Sequence, residues 1–222
     1  MARLIDSMEG IKSLYKEIFG EFEFGIVAPI FLEPISTKLQ QINNDMPLIK
    51  AINQRRSDRK ISTTPVNITE LSYILEASLG VTEKDGDNFL YATPCAGGER
   101  ELRYIIIPKK VEGLSSHSIL EYVPESSQLI SISMLRSEIF YDDWESFASF
   151  NVVFCVSKTN VRKYKNNEFL ACFEAGCCSQ NLQLISGSLN YTSCISGVIN
   201  VPEFIAHFDN LIPLQAISFS KE

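Results

Sequence analysis

The feature that most constrains the fold is a set of strand-length apolar runs separated by helical segments. Two runs, 104–107 and 151–156, are almost wholly apolar, and a third strand candidate lies at 214–219. Between them, residues 168–189 form a long helical candidate with small residues along its length. Apolar runs of this length favour buried strands, and strands broken by long helices favour an α+β fold. We therefore expect a mainly antiparallel central sheet flanked by helices.

One helix can be placed closely from its end signals. Asn67 and Glu70 have the spacing of a capping box, and Gly80 supplies a stop. The apolar positions between them recur at helical spacing: Leu71, Ile74, Leu75 and Leu79. The pattern predicts an amphipathic helix between Asn67 and Gly80.

Weaker patterns predict the remaining elements. Helical segments are expected at 3–19, 47–57 and 133–148, and a short one begins at Pro202. Further strands are expected at 118–123 and 194–199. Residues 81–90 are polar and contain glycine, which predicts a loop. Residues 21–46 give mixed signals and predict an irregular arm.

The charge balance limits the partners. Lys and Arg total 20 against 27 Asp and Glu, a net charge of −7, which argues against nucleic acid and against an acidic membrane surface. No apolar run approaches the ~18 residues of a transmembrane helix, and the N-terminus lacks a signal-peptide core. We therefore expect a cytoplasmic protein. Six cysteines without a Cys-x-x-Cys pair, beside only two histidines, predict reduced thiols and no metal site.

One basic cluster stands out against this acidic background. It contains Arg55, Arg56, Ser57 and Arg59. Arg55 and Arg59 are four residues apart and would share a face of a helix. Guanidinium groups bind phosphate oxygens in bidentate geometry, and a serine hydroxyl adds a donor. The cluster is either a solvated basic face or a site for a small phosphorylated ligand.

Two further segments are candidates for a site. A tight loop of small residues, in which backbone amides can approach a ligand, contains Pro94, Cys95, Ala96 and Gly97. An ordinary turn would have the same composition. The second segment begins after the 151–156 run and continues onto the small-residue helix; its notable residues are Lys163, Tyr164, Glu174, Ala175 and Gly176. A Lys-Tyr pair alone is common on protein surfaces.

The order and spacing of these motifs together resemble one family. Arg-Arg-Ser-x-Arg, the capped helix, Pro-x-Ala-Gly-Gly, Lys-Tyr and Glu-Ala-Gly with a following Gln-Asn-Leu are similar to the FMN-dependent nitroreductase superfamily, and within it to the SagB/McbC-type peptide azoline dehydrogenases. The resemblance begins near residue 47. It therefore divides the chain into an N-terminal helix and irregular arm, 1–46, and a nitroreductase-like FMN-binding domain, 47–222.

The resemblance implies a homodimer that binds FMN at the subunit interface. Residues implied at the FMN phosphate are Arg55, Arg56, Ser57 and Arg59, with added charge from Lys221. The loop Pro94, Cys95, Ala96 and Gly97 is implied beside the flavin, commonly from the partner subunit. Residues implied near the isoalloxazine edge are Glu174, Ala175 and Gly176.

The resemblance also implies an activity, the oxidation of thiazolines or oxazolines to thiazoles or oxazoles in a ribosomally made precursor peptide, within a cyclodehydratase complex. Lys163 and Tyr164 would handle the proton while the flavin N5 takes the hydride. Cys95 and Cys177 depart from the family, which usually has Ser and His there. Two alternatives stay open: a flavin reductase that uses NAD(P)H on dehydroamino acids, nitro compounds or quinones, and a non-catalytic partner subunit that keeps the fold.

Overall fold

A computed structural model describes residues 36–38, 48–95, 100–157, 167–197, 199–208 and 210–222. The predicted helix at 3–19 and most of the predicted arm lie outside them. The elements in chain order are β1 (Ser36–Lys38), α1 (Leu48–Gln54), α2 (Ile68–Leu79), β2 (Val81–Asp85), β3 (Asn88–Tyr91), β4 (Arg103–Pro108), β5 (Ser118–Val123), β6 (Gln128–Met134), α3 (Asp143–Ser146), β7 (Phe150–Ser157), α4 (Asn167–Ser188), β8 (Tyr191–Ser196), α5 (Val201–His207) and β9 (Leu211–Lys221).

Seven strands form one central sheet in the order β1-β6-β5-β4-β7-β9-β8. Each pairing of neighbours in this described sheet is antiparallel. β2 and β3 form a separate two-stranded hairpin. The expected α+β fold with an antiparallel sheet flanked by helices is confirmed.

The core lies on both faces of the sheet, which explains why β4 and β7 are continuous apolar runs. Successive side chains of a strand point to opposite faces. In β4, Tyr104 and Ile106 pack in the cluster that includes residues of α2 and α4. Ile105 and Ile107 pack in the second cluster, which includes Phe204 of α5. A strand covered on both faces has no polar face and therefore does not alternate.

The predicted capped helix is confirmed as α2. The Asn67 side chain accepts a hydrogen bond from the backbone N–H of Thr69 at 2.7 Å, and the Glu70 carboxylate accepts one from Asn67 N–H at 3.2 Å. Gly80 closes the helix by donating to the carbonyl of Glu76 at 3.0 Å. The four predicted stripe residues are all fully buried.

The long helix α4 is fixed against the sheet by small buried residues and by two amides. Ala171, Ala175 and Cys178 are buried, and small side chains allow close approach of the helix to the sheet. The Asn181 amide donates to the carbonyl of Ala92 at 3.1 Å, and the Gln215 amide of β9 donates to the carbonyl of Ala175 at 3.4 Å. Within the described part of the chain, no helix is both long and apolar enough to cross a membrane.

Residues 81–90, predicted as a loop, instead form most of the β2–β3 hairpin. Asp85 and Asn88 pair across a two-residue turn, in which Gly86 has a φ of 59°. A glycine supplies this left-handed backbone without a steric penalty, and a short turn containing it is a strong hairpin signal. The prediction was wrong because the hairpin is mostly exposed: β2 is largely polar, and none of the apolar residues of β3 is fully buried.

Two other predictions also differ from the structure. The helix expected over 133–148 is wrong for most of its length, since β6 runs to Met134 and α3 covers only Asp143–Ser146. The aromatic side chains there do not share one face: Phe140 is buried while Tyr141 is exposed. The strand expected at 194–199 lies earlier, at Tyr191–Ser196, because Asn190, with a φ of 62°, turns the chain directly from α4 into β8.

Candidate functional site

A cavity of about 500 Å³ lies between the end of α1, the C-terminal half of α4 and the start of β8. Its lining is mostly polar and includes Arg55, Arg56, Gln183, Asn190 and Ser193. The chain after α1 is held to β8, because Asp58 N–H donates to the carbonyl of Ser193 at 3.0 Å. The first two arginines of the basic cluster are thereby placed at the cavity.

The two cavity arginines keep their charge available for a ligand. Arg56 Nη1 donates to the backbone carbonyls of Asn53 at 3.0 Å and Arg55 at 2.7 Å. Arg55 Nη1 lies 3.5 Å from the Ser57 hydroxyl. Neither guanidinium forms an ion pair with a carboxylate among the residues that the structure describes. Two guanidinium groups that are not ion-paired favour an anionic ligand.

Arg59 lies apart from this pair. Its guanidinium is 5.4 Å from the ring centroid of Trp144 and does not line the cavity. Burial raises the pKa of the Cys194 thiol, and the neighbouring Arg59 partly offsets this effect. The expected common helix face of Arg55 and Arg59 does not form, because α1 ends at Gln54.

Lys221 lines a second cavity of about 450 Å³, which shares Thr192 and Glu222 with the first. Its Nζ lies 2.7 and 2.9 Å from the two carboxylate oxygens of Glu70. Glu70 also accepts a hydrogen bond from the hydroxyl of Tyr191 at 3.0 Å. Burial opposes ionisation of Glu70, but the hydrogen bonds from Lys221, Asn67 and Tyr191 bring its pKa below the usual value.

A second polar cluster is built around Arg100, a residue that the sequence motifs did not single out. Its Nη2 donates to the carbonyl and the hydroxyl of Thr93, each at 3.0 Å. Its Nη1 donates to the Tyr104 hydroxyl and lies 3.8 Å from the sulfur of Cys178. The guanidinium also stacks on Tyr91, 4.1 Å from the ring centroid. The only signal in the sequence was an arginine close to the small-residue loop.

This cluster brings together the small-residue loop and α4. Burial raises the pKa of the Cys95 thiol above its usual value; Arg100 partly offsets this effect and the charge of Glu174 adds to it. Glu174 and its neighbour Ala175 are buried, whereas Gly176 and Pro94 are exposed. Two predicted loop residues, Ala96 and Gly97, lie outside the described residues.

The two sites contact neighbouring parts of α4. Arg100 reaches Cys178 in the middle of the helix, and Gln183 and Gly187 line the arginine cavity in its C-terminal half. At a rise of 1.5 Å per residue, Cys178 and Gln183 are about 8 Å apart along the helix. The proposed proton-handling residues Lys163 and Tyr164 lie outside the described residues, between Ser157 of β7 and Asn167 of α4.

The described residues form an antiparallel α+β fold with two guanidinium groups at a cavity beside β8, an arrangement suited to a phosphorylated ligand. Comparison with protein families identifies the family of the chain. The chain belongs to the nitroreductase family, whose profile matches residues 52–218. Membership in this family implies an FMN-dependent oxidoreductase.

A nitroreductase of Methanocaldococcus jannaschii is similar over part of its length. It is 31% identical over 94 residues, which are 42% of this chain and 43% of that protein. The match therefore spans less than half of that relative, and the identity alone does not transfer its activity to this chain.

Three solved structures share the fold at low identity. A nitroreductase candidate from Ralstonia eutropha JMP134 has a TM-score of 0.72 at 19% identity and covers 90% of this chain and 98% of its own. The Escherichia coli microcin synthetase McbBCD complex with truncated pro-MccB17 gives 0.62 at 16%, over 94% and 81%. A nitroreductase candidate from Desulfovibrio desulfuricans in complex with FMN gives 0.50 at 16%, over 79% and 86%.

Proposed function

We propose that this chain is an FMN-dependent dehydrogenase that oxidises thiazolines or oxazolines to thiazoles or oxazoles in a ribosomally made peptide. The observation that carries the flavin part is the cavity at which Arg55 and Arg56 have no described carboxylate partner. The azoline part is supported by the Lys163–Tyr164 sequence between β7 and α4 and by the likeness to the microcin synthetase structure.

The residues at the cavity fit an FMN phosphate. Arg55 and Arg56 line the cavity and supply charge-assisted donors. The Ser57 hydroxyl does not line the cavity but lies 3.5 Å from Arg55 Nη1. On the α4 wall, a Cβ added at Gly187 would meet no atom within 4 Å, so the helix leaves open space there. FMN supplies the hydride-accepting chemistry when it is bound. The role of the arginines is to bind the phosphate and fix its position.

The protein's other task in this proposal is proton transfer. Aromatising an azoline removes a proton from one ring carbon, so a base must stand beside the ring. Lys163 is the proposed base, because burial beside a poorly solvated ring would lower its pKa toward neutrality. Tyr164 would orient that lysine or donate to the ring heteroatom.

The proposal includes a homodimer. The family resemblance implies a flavin site at the subunit interface, in which two copies would bring the Cys95 loop of one to the arginine cavity of the other. Exposed apolar side chains on α1 and α4 offer a surface for this contact: Leu48 is 63%, Ile49 71% and Phe173 69% exposed. The further proposed partners are the modified precursor peptide and a cyclodehydratase.

The test is the Lys163→Ala variant in FMN-loaded protein. With an azoline-containing peptide, we expect azole formation to be lost, because no base remains to take the ring proton. The matched control is Lys165→Ala, which removes a lysine from the same segment. Mass spectrometry of the peptide measures the product. An unchanged azole yield from Lys163→Ala would contradict the assigned role.

A reductase is the second candidate, and it is favoured by the family profile and by the nitroreductase relatives. Purified protein that consumes NAD(P)H with a nitro compound or a quinone, and forms no azole, would establish it. A protein that takes up no FMN on reconstitution would instead favour the non-catalytic partner subunit.

A further inference from the structure

The arginine cavity also contains two carboxylates. Asp58 and Glu222 line it together with Arg55 and Arg56. Carboxylates compete with phosphate for guanidinium donors, because both groups are oxyanions that accept charge-assisted hydrogen bonds. Formally the two negative charges cancel the two positive ones. An anion would therefore gain little from this cavity if the carboxylates turned to the arginines.

The carboxylates do not turn to the arginines, because both are held by Lys60. Its Nζ lies 3.0 Å from Oε1 of Glu222 and 3.4 Å from Oδ2 of Asp58. Its backbone N–H donates to the other oxygen of Asp58 at 3.1 Å. Lys60 lines the adjoining cavity and not the arginine cavity, so it contacts both acids from outside the arginine cavity.

On the basis of the proposed FMN site, we propose that Lys60 is a positioning residue that keeps the two cavity carboxylates off the two arginines. It acts through Asp58 and Glu222 and does not itself bind the phosphate. The hydrogen bonds that Lys60 donates to Glu222 and Asp58, together with the charges of these carboxylates, raise the pKa of Lys60. The arginines then meet a phosphate monoester without an internal competitor.

A double-mutant cycle on FMN affinity tests this role. Lys60→Met should weaken FMN binding about fivefold, the scale of one exposed ion pair formed in competition with the ligand. Glu222→Gln alone should change affinity less than about twofold, since Lys60 already holds that carboxylate. The double variant should return to within about twofold of the wild type, because Glu222 no longer competes and the backbone N–H of residue 60 still donates to Asp58.

The controls separate positioning from simple loss of charge. Lys84→Met removes an exposed lysine of the β2–β3 hairpin and should leave FMN affinity unchanged. Riboflavin, which lacks the phosphate, should bind all variants alike. If Lys60 acted only through its charge, Glu222→Gln would strengthen FMN binding by the same factor with and without Lys60. Such additivity would overturn the proposal.

Inorganic phosphate as a second probe distinguishes this proposal from the flavin assignment. A non-additive cycle for phosphate in a protein that does not bind FMN would overturn the flavin assignment and support the role of Lys60. An additive cycle in a protein that binds FMN would overturn the role of Lys60 and support the flavin assignment. A wild type that binds neither probe would overturn both.

Discussion

At the scale of single residues, Arg55 is the side chain on which the proposed phosphate binding depends most directly. It is half-buried at the cavity and has no described carboxylate partner. Arg55→Met should weaken FMN binding about tenfold or more, because a hydrogen bond to a charged group contributes roughly 1.5–3 kcal/mol. Titration by flavin fluorescence measures the change, with exposed Arg136→Met as the control. An equal loss of riboflavin affinity would assign Arg55 to the structure and not to the phosphate.

Glu145 makes a second prediction at this scale, concerning pH. Its side chain is 0% exposed, and burial raises its pKa, with a partly opposing effect of the Ser196 hydroxyl. The folded state therefore keeps this proton to a higher pH than the unfolded state does. The contribution of Glu145 to stability is greatest below the unfolded value of about 4.3 and declines as the pH rises through the folded pKa.

Glu145→Gln should remove that decline, because the amide resembles the protonated acid and does not titrate. We expect the free energy of unfolding of the variant, relative to the wild type, to increase from pH 4 toward pH 7. Urea denaturation at several pH values measures it. The control is Glu112→Gln, at an exposed position. A constant difference between variant and wild type would show that Glu145 titrates normally.

The sequence could predict which residue types form the candidate site, but not where each side chain points. The cluster of arginines in an acidic chain indicated either a solvated basic face or a phosphate site, and two of the arginines line a cavity. The direction of Arg59 depends on where α1 ends and on the ring of Trp144, more than 80 residues away in sequence. Arg100 was missed for the same reason, since its partners come from β3, β4 and α4.

At the scale of elements, the α2 capping box gives a prediction with a matched control. Asn67→Ala should lower the free energy of unfolding by about 1 kcal/mol, since the N–H of Thr69 loses its acceptor at the helix end. Asn67→Ser keeps a side-chain oxygen and should cost only a few tenths of that amount. Urea denaturation compares the three proteins. Equal losses for Ala and Ser would contradict the capping role.

Elements that bury apolar side chains were predicted well, and elements that pair without burial were not. α2, β4 and β7 each contribute several fully buried apolar residues, so their spacing appears in the sequence. The β2–β3 hairpin is mostly exposed, and most β6 residues are half-buried. Those strands form through backbone pairing with neighbours, which a single sequence does not display.

At the scale of the whole molecule, the proposed homodimer predicts a site shared between two copies of the chain. The Arg55 cavity is lined by Gln183 and Gly187 of α4, whereas the Arg100 cluster beside the Cys95 loop contacts α4 at Cys178. If FMN lies between the cavity of one protomer and the loop of its partner, a variant in either region destroys both sites of a homodimer. A variant at the cavity damages one half of each site, however, and a variant in the loop damages the other half.

Mixing Arg55→Met with Cys95→Trp protein tests this arrangement. Random exchange of subunits makes half of the dimers mixed, and each mixed dimer has one intact site, so about one quarter of the FMN sites should return. The measurement is FMN bound per protomer after unfolding and refolding the variants together. Each variant refolded alone is the control and should recover none. A mixture that binds no more FMN than the separate variants would place the loop and the arginines at the same site of one chain, or at no common site.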